Sequence, residues 1–408
     1  MLGSLSIVPS SREARSMRML NSPRRRSMPM WFVVVAAAWL AADGSERTRA
    51  NATDLADEIK PLAIGAPAPD FDLPGVDNRN HRLADFADAR VLVVVFTCNH
   101  CPTAQAYEDR LIDLAQRFAP QGVAFVAISP NDPLAVRLDE LGYTDVGDSF
   151  EEMKIRVQNK PFPFPYLYDG QTQAVSKAYG ALATPHVFLF DAQRRLRYQG
   201  RIDDNETGPP TRKDLENAIE AVLAGRVPEP ATTRVFGCST KWSDKRESAR
   251  ESLKRWDAES VELAEADVET IRGLRQSDDG RFRLVNVWAT WCGPCVAELP
   301  ELTTIHRMYR NRNFELVTIS LDGPDDRAKA RETLDRVHLS ARNLIFKGGP
   351  DALAEALDPE WAGPISHTVL IDPNGVVLYR KTGSFEPLVV RKAIADAIGR
   401  TYAPRTRQ

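Results

Sequence analysis

The 408 residues contain no phosphate-binding loop, no HExxH metalloprotease motif and no dinucleotide fingerprint. No organic cofactor is therefore implied. His81, His186, His306, His338 and His367 show no metal-ligand spacing, so no metal is implied either. No basic run lies inside the body of the chain and the net charge is only −3, which argues against nucleic acid as a partner. The apolar run from Met30 to Ala42 falls short of the roughly 20 residues that a membrane-spanning helix needs. Hydrophobic content of 43% and charged content of 27% fit folded domains rather than disorder, and the length suggests two of them.

That apolar run has a context. Arg24, Arg25 and Arg26 precede it, and the small residues Ala41, Ala42 and Gly44 follow or close it. This is the order of a secretory signal. Residues 1–44 are read as a signal peptide and 45–60 as a polar linker. Counted from Met1 the signal exceeds the usual ~15–30 residues, so Met17 and Met19 are alternative starts. No cysteine lies near the cleavage site, which argues against a lipid anchor. The expectation is export to the periplasm or cell envelope. The chain would stay membrane-tethered only if the signal were left uncleaved, and no integral span would remain after its removal.

Cysteines are few: five in all, an odd number. Four fall in two Cys-x-x-Cys pairs, Cys98/Cys101 and Cys292/Cys295, and Cys238 stands alone. Exported compartments permit disulfides. A disulfide closing so short a loop stabilises by only about 2 kcal/mol on the chain-entropy model, against ~4.7 for a long one. Reactivity explains the spacing better than stapling. Structural zinc wants both pairs in one small unit, whereas these lie far apart. Covalent haem attachment needs His after the second cysteine, where Pro102 and Val296 stand. Copper(I) at Cys98, His100 and Cys101 remains an alternative, since soft thiolates suit it.

The pattern around each pair is the same. Arg90–Phe96 is a continuous β-branched run leading into Cys98, as a strand buried on both faces requires. A helix follows from Pro102 to Phe118, then a strand over Gly122–Ser129, a strand pair at Val187–Phe190 and Leu196–Tyr198, and a closing helix from Asp214 to Ala224. The order returns as a strand over Leu284–Ala289, a helix through Glu298 to Tyr309, a strand over Phe314–Ser320, a hairpin at Thr368–Ile371 and Val376–Tyr379, and a helix from Val389 to Ile398. This is a diverged internal repeat. Residues 61–227 and 259–402 are the two domains. Residues 228–258 are read as a linker carrying Cys238, with a charged helix from Asp244 to Trp256.

A cysteine at a helix N-terminus meets free backbone N–H groups and positive potential, which lower its pKa below about 8.5. Cys98 and Cys292, first in each pair, are the expected attacking nucleophiles. Cys101 and Cys295 would resolve the mixed disulfide.

Trp291-Cys-Gly-Pro-Cys295 at a strand–helix junction resembles the active site of the thioredoxin superfamily. Ala289 to Pro300 as a whole resembles its TlpA/ResA-type branch of exported thiol–disulfide oxidoreductases. Gly65-Ala-Pro-Ala-Pro-Asp-Phe-Asp-Leu73 and Phe96-Thr-Cys-Asn-His-Cys-Pro102 resemble the redoxin (AhpC/TSA-like) branch. The resemblance covers most of residues 61–400. It implies an α/β architecture of two tandem thioredoxin-like folds, each a central mixed β-sheet flanked by helices. It also implies redox-active disulfides Cys98–Cys101 and Cys292–Cys295, and a proton-transfer role for Glu298. The superfamily places a cis-proline opposite the pair. Thr184-Pro185 fits in the first domain, whereas the second has Ser366 at that count and Pro364 two residues earlier.

His100 stands immediately before Cys101, as in isomerase-like sites, and an imidazolium there would make the first pair more oxidising than the Gly293-Pro294 pair. Electrons would then pass from Cys292/Cys295 toward Cys98/Cys101. Cys238 is either a buried free thiol or a third redox sulfur reaching the first pair. The implied function is dithiol–disulfide exchange on exported cysteine-containing proteins, apocytochromes among the candidates, driven by an upstream reductant. Two alternatives compete: a thiol-dependent peroxidase and a copper-binding or redox scaffold. The peroxidase pattern Pro-x-x-x-Thr-x-x-Cys is not met before Cys98, where Thr97 is adjacent and no proline lies between Arg90 and Thr97.

Overall fold

The computed structural model describes residues 59–275 and 279–403. The expected signal peptide and nearly all of the polar linker at 45–60 lie outside them. A short hairpin of β1 (Asp72–Pro74) and β2 (Asn80–Arg82) comes first. Then β3 (Val91–Phe96) runs into α1 (Pro102–Phe118), followed by β4 (Val123–Ser129), α2 (Phe150–Asn159), β5 (Tyr166–Tyr168) and α3 (Ala174–Tyr179). The unit is completed by β6 (Ala183–Thr184), β7 (His186–Phe190), β8 (Leu196–Gly200) and α4 (Asp214–Leu223). Its main sheet has the order β5-β4-β3-β7-β8. Strand β3 is parallel to β4 and antiparallel to β7, so the sheet is mixed.

All six residues of β3 are buried because the strand is covered on both faces. Val91, Val93 and Val95 point into one core with Tyr107 and Leu111 of α1. Leu92, Val94 and Phe96 point into the other with Tyr179 and Phe188. The period of two that places alternate residues on opposite faces is visible directly.

The second unit repeats the plan. After β9 (Cys238–Ser239) and α5 (Arg246–Asp257) come β10 (Ala264–Ala266), α6 (Val268–Arg272), β11 (Phe282–Trp288), α7 (Gly293–Tyr309), β12 (Phe314–Ser320) and α8 (Arg327–Arg336). Then follow β13 (Arg342–Phe346), α9 (Pro350–Leu357), β14 (His367–Ile371), β15 (Val377–Thr382) and α10 (Pro387–Ile398). The sheet order is β10-β13-β12-β11-β14-β15, which reproduces the first sheet and adds β10 at its edge. Leu284 and Trp288 face one core, Val285 and Val287 the other.

The segment read as a linker is not a free connection. Strand β9 pairs antiparallel with β6, and Thr232 bridges Gln199. Arg246 at the start of α5 pairs with Asp132 of the first domain. Within this fold the two domains touch through the C-terminal end of α7. Tyr309 Oη donates to Thr144 O at 2.8 Å, the Arg312 guanidinium lies 3.6 Å from the Tyr143 ring centre, and Arg400 pairs with Asp145 at 2.5 Å.

Candidate active site

The first pair sits at the C-terminal end of β3. Pro102 takes the first helical position of α1, where its missing N–H costs nothing, so Cys101 becomes the N-cap. Cys98 is left in the connection ahead of the helix. Cys98 Sγ lies 3.0 Å from Thr184 Oγ1 and 3.5 Å from His100 Nδ1. Cys101 Sγ lies 3.1 Å from Thr184 O. The Thr184–Pro185 peptide is cis and joins β6 to β7 directly beside both sulfurs. Both cysteines are buried and carry free thiols, so the expected Cys98–Cys101 disulfide is open here.

His100 is held by Asp148. Its Nδ1 lies 2.5 Å from Asp148 Oδ2, and Asp148 Oδ1 accepts the backbone N–H groups of Asn99 and His100 at 2.9 and 3.1 Å. Asn131 Nδ2 completes the carboxylate at 2.7 Å. Burial works against a charged His100, but the Asp148 carboxylate outweighs it and raises the imidazole pKa. Cys98, His100 and Asp148 each bring a donor atom within 4.8 Å of the others. In this arrangement His100 Nδ1 pairs with Asp148 and the Cys98 thiol lies beside them.

These surroundings act unequally on the two sulfurs. Burial, followed by the neighbouring Cys101, pushes the Cys98 thiol well above its ordinary pKa. Burial also opposes charge on Cys101. Hydrogen bonds from the Cys238 and Cys98 thiols, the positive His100 and the Ala104 N–H overcome it and hold Cys101 well below the usual thiol range. The shifts thus run toward charge on Cys101, at the helix N-cap, and against it on Cys98.

The second pair follows β11. Pro294 lies one position inside the helix, so the cap falls on Cys292, whose sulfur accepts the Cys295 N–H at 3.4 Å. Cys292 and Cys295 form a disulfide with Cα atoms 5.3 Å apart. Trp291 beside them is 66% exposed. Glu298, three residues on from Cys295, lies on the same helical face. Its Oε1 accepts the Phe385 N–H at 2.8 Å, and its Oε2 is buried without a partner. Burial raises its pKa against the opposing pull of the Phe385 N–H. The cis peptide here is Ile365–Ser366, so Ser366 and not Pro364 takes the place of Pro185. Pro364 instead offers its carbonyl to Trp361 Nε1 at 2.7 Å.

The fold also gathers groups that the spacing of the cysteines did not reveal. Asp148 and Thr184 come from distant segments, and Cys238 arrives on β9 with its N–H 3.3 Å from Cys101 Sγ. His186 and His367 are both fully buried. Burial lowers the His186 pKa to about 4, and His367 stacks on Trp361 with its Nε2 3.1 Å from Asp358. The domains touch at Tyr309, Arg312 and Arg400. That contact lies at the C-terminal end of α7, whereas Cys292 caps its N-terminus, and a helix of 17 residues is about 25 Å long.

Residues 64–199 match the AhpC/TSA family and residues 272–398 match the Redoxin family. The thiol-disulfide oxidoreductase ResA of Oceanobacillus iheyensis is 32% identical over 99 residues, which is 24% of this chain and 48% of that protein. The protein of the same name from Geobacillus thermodenitrificans is 26% identical over 163 residues, 40% of this chain and 79% of its own. The chain thus spans about half the length of the first of these relatives. A solved structure of a hypothetical protein from Sinorhizobium meliloti 1021 is 37% identical and covers 45% of this chain and 97% of that one, with a TM-score of 0.39. With two repeated mixed sheets, a cysteine capping the helix after each central strand, and these two family matches in tandem, the chain belongs to the thioredoxin superfamily as a redoxin, ResA-like protein.

Proposed function

We propose that the protein is a thiol–disulfide oxidoreductase that exchanges electrons with cysteine-bearing proteins at two separate sites. The observation that carries this is the capping of α1 and α7 by Cys101 and Cys292, each with a second cysteine three residues away in sequence. The relatives' printed name, thiol-disulfide oxidoreductase, supports it.

At the second site a reduced Cys292 thiolate attacks one sulfur of a substrate disulfide, and the other sulfur leaves as a thiolate. Cys295 then attacks Cys292, the mixed disulfide breaks, and the substrate departs with two added electrons. Glu298, buried with a raised pKa and three residues on from Cys295, would take the Cys295 proton. An upstream dithiol returns the pair to its reduced form. At the first site Cys101 makes the attack, with His100 and Asp148 fixing the charge around it.

The arginines at 24–26 and the apolar run after them support export to the periplasm or cell envelope. No helix among the described residues is long and apolar enough to cross a membrane. Fractionation of cells that express the full chain checks this, and recovery only in the cytosol would overturn it.

The exchange reading is tested with the full chain, dithiothreitol as electron source and insulin as substrate. Reduction is expected to be fast for the wild type and lost in a Cys101→Ser/Cys292→Ser double variant. Undiminished reduction by that variant would sink the reading.

A further inference from the structure

Cys238 belongs to neither Cys-x-x-Cys pair, yet the fold builds it into the first site. Thr184 is paired with Cys238 and Ala183 with Ser239 in an antiparallel register, and the Thr240 N–H donates to Leu182 O at 3.0 Å. The approach is close enough to require glycine at the preceding residue. Gly237 has φ +138°, and a Cβ there would stand 2.1 Å from Thr184 O. On the other side the segment is pinned by Lys241. Its N–H donates to Asn131 Oδ1 at 2.8 Å, and its Nζ pairs with Glu140 at 2.5 Å.

The result is a fixed sulfur facing Cys101. The Cys238 N–H reaches Cys101 Sγ at 3.3 Å, and Cys238 packs against the small cluster of Cys98, Cys101 and Ala104. Cys98 also neighbours Cys101, but its sulfur is shared with the Thr184 hydroxyl and His100. We propose that Cys238 is the resolving cysteine of the first site, so that the reversible disulfide formed there is Cys101–Cys238 and Cys98 stays a thiol that positions the attacking sulfur.

This rests on the exchange reading of the site. The Cys101 thiolate attacks an incoming disulfide, whose S–S bond breaks to release one thiolate and leave a mixed disulfide on Cys101. Cys238 gives up its proton and attacks Cys101 Sγ. The mixed bond breaks, and the second substrate thiolate leaves. The substrate gains two electrons and two protons, one proton from Cys238 and one from water, and the site is left as Cys101–Cys238. A dithiol reductant restores both thiols. The order of events is built into the electrostatics. While Cys101 is charged, its hydrogen bond to Cys238, with burial second, keeps Cys238 protonated. Once Cys101 is covalently occupied that charge is gone and Cys238 is released to ionise. Cys101 is fully buried, so the exchange requires the site to open to the incoming disulfide.

The experiment is disulfide mapping of the full chain. The protein is reduced, treated with oxidised glutathione, quenched with acid, blocked with maleimide and digested with trypsin. Cleavage after Arg90 and Arg110 leaves Cys98 and Cys101 in one peptide, and cleavage after Arg234 and Lys241 leaves Cys238 in another. The expected product is those two peptides linked through Cys101 and Cys238. In Cys98→Ser the link is retained. In Cys238→Ser it is lost and glutathione accumulates on Cys101. A closed Cys98–Cys101 loop in the wild type with no linked peptides would overturn the assignment of Cys238 while leaving exchange at the site intact. No oxidation of any of the three sulfurs would overturn both.

Discussion

The His100–Asp148 pair concentrates most of the charge buried in the first domain's site, and its pH behaviour follows from signs alone. Asp148 raises the folded pKa of His100 above the ordinary 6.5, so the stability gained from the histidine is complete below about that pH and is lost as pH rises through the raised value. Burial works against the Asp148 charge, but His100 outweighs it and lowers the carboxyl pKa below 3.8. Its contribution is therefore present above about pH 4 and is lost as pH falls through the lowered value. The pair stabilises most between those limits. His100→Asn leaves the carboxylate buried without its cation and is expected to cost about 3–5 kcal/mol near neutral pH. Unfolding curves taken across pH should show the gap between wild type and variant closing at both ends. A gap independent of pH would mean that the pair is not ionised.

Among the elements, β9 lies against the first site although it is only two residues long. It holds because Gly237 lets the backbone lie against Thr184 in a left-handed conformation. Gly237→Ala places a methyl group into the Thr184 carbonyl and adds backbone strain of about 1–3 kcal/mol. The expected outcome is a detached β9, seen as faster maleimide labelling of Cys238 and Cys101 with the second site's pair unaffected. Labelling rates equal to those of the wild type would show that something other than this pairing shields the sulfurs.

At the scale of the whole molecule the two sites are expected to act independently. The domain contact at Tyr309, Arg312 and Arg400 lies at the far end of α7 from Cys292. A relay from Cys292/Cys295 to the first pair within one folded chain therefore has no short path. Reoxidation of the first site by oxidised glutathione should proceed at the wild-type rate in a Cys292→Ser/Cys295→Ser variant. A marked slowing would restore the relay. The contact itself joins the first domain's loop at 142–145 to the second domain's core helix, so the two folds are set in register without sharing a catalytic group.

Sequence alone determined the doubled α/β plan, because the first central strand is a β-branched run and in each half a strand is followed by a cysteine pair and a helix. It also determined that each cysteine pair would stand where a buried strand meets a helix, and the structure shows Cys292 as the cap of its helix. In the first pair Pro102 stands after the second cysteine, which moves the cap to Cys101, but a reading by cysteine order passes over it. Only the tertiary structure decided the rest. Asp148, Thr184 and Cys238 reach the first site from segments 47, 83 and 137 residues beyond Cys101, through a loop, a strand edge and a β-pairing that leave no local pattern. Ser366 took the place of Pro185 through a backbone conformation that residue type does not announce. Local chemistry places a sulfur at a helix end. Which neighbours make it a thiolate, and which sulfur answers it, depends on contacts between segments far apart in the chain.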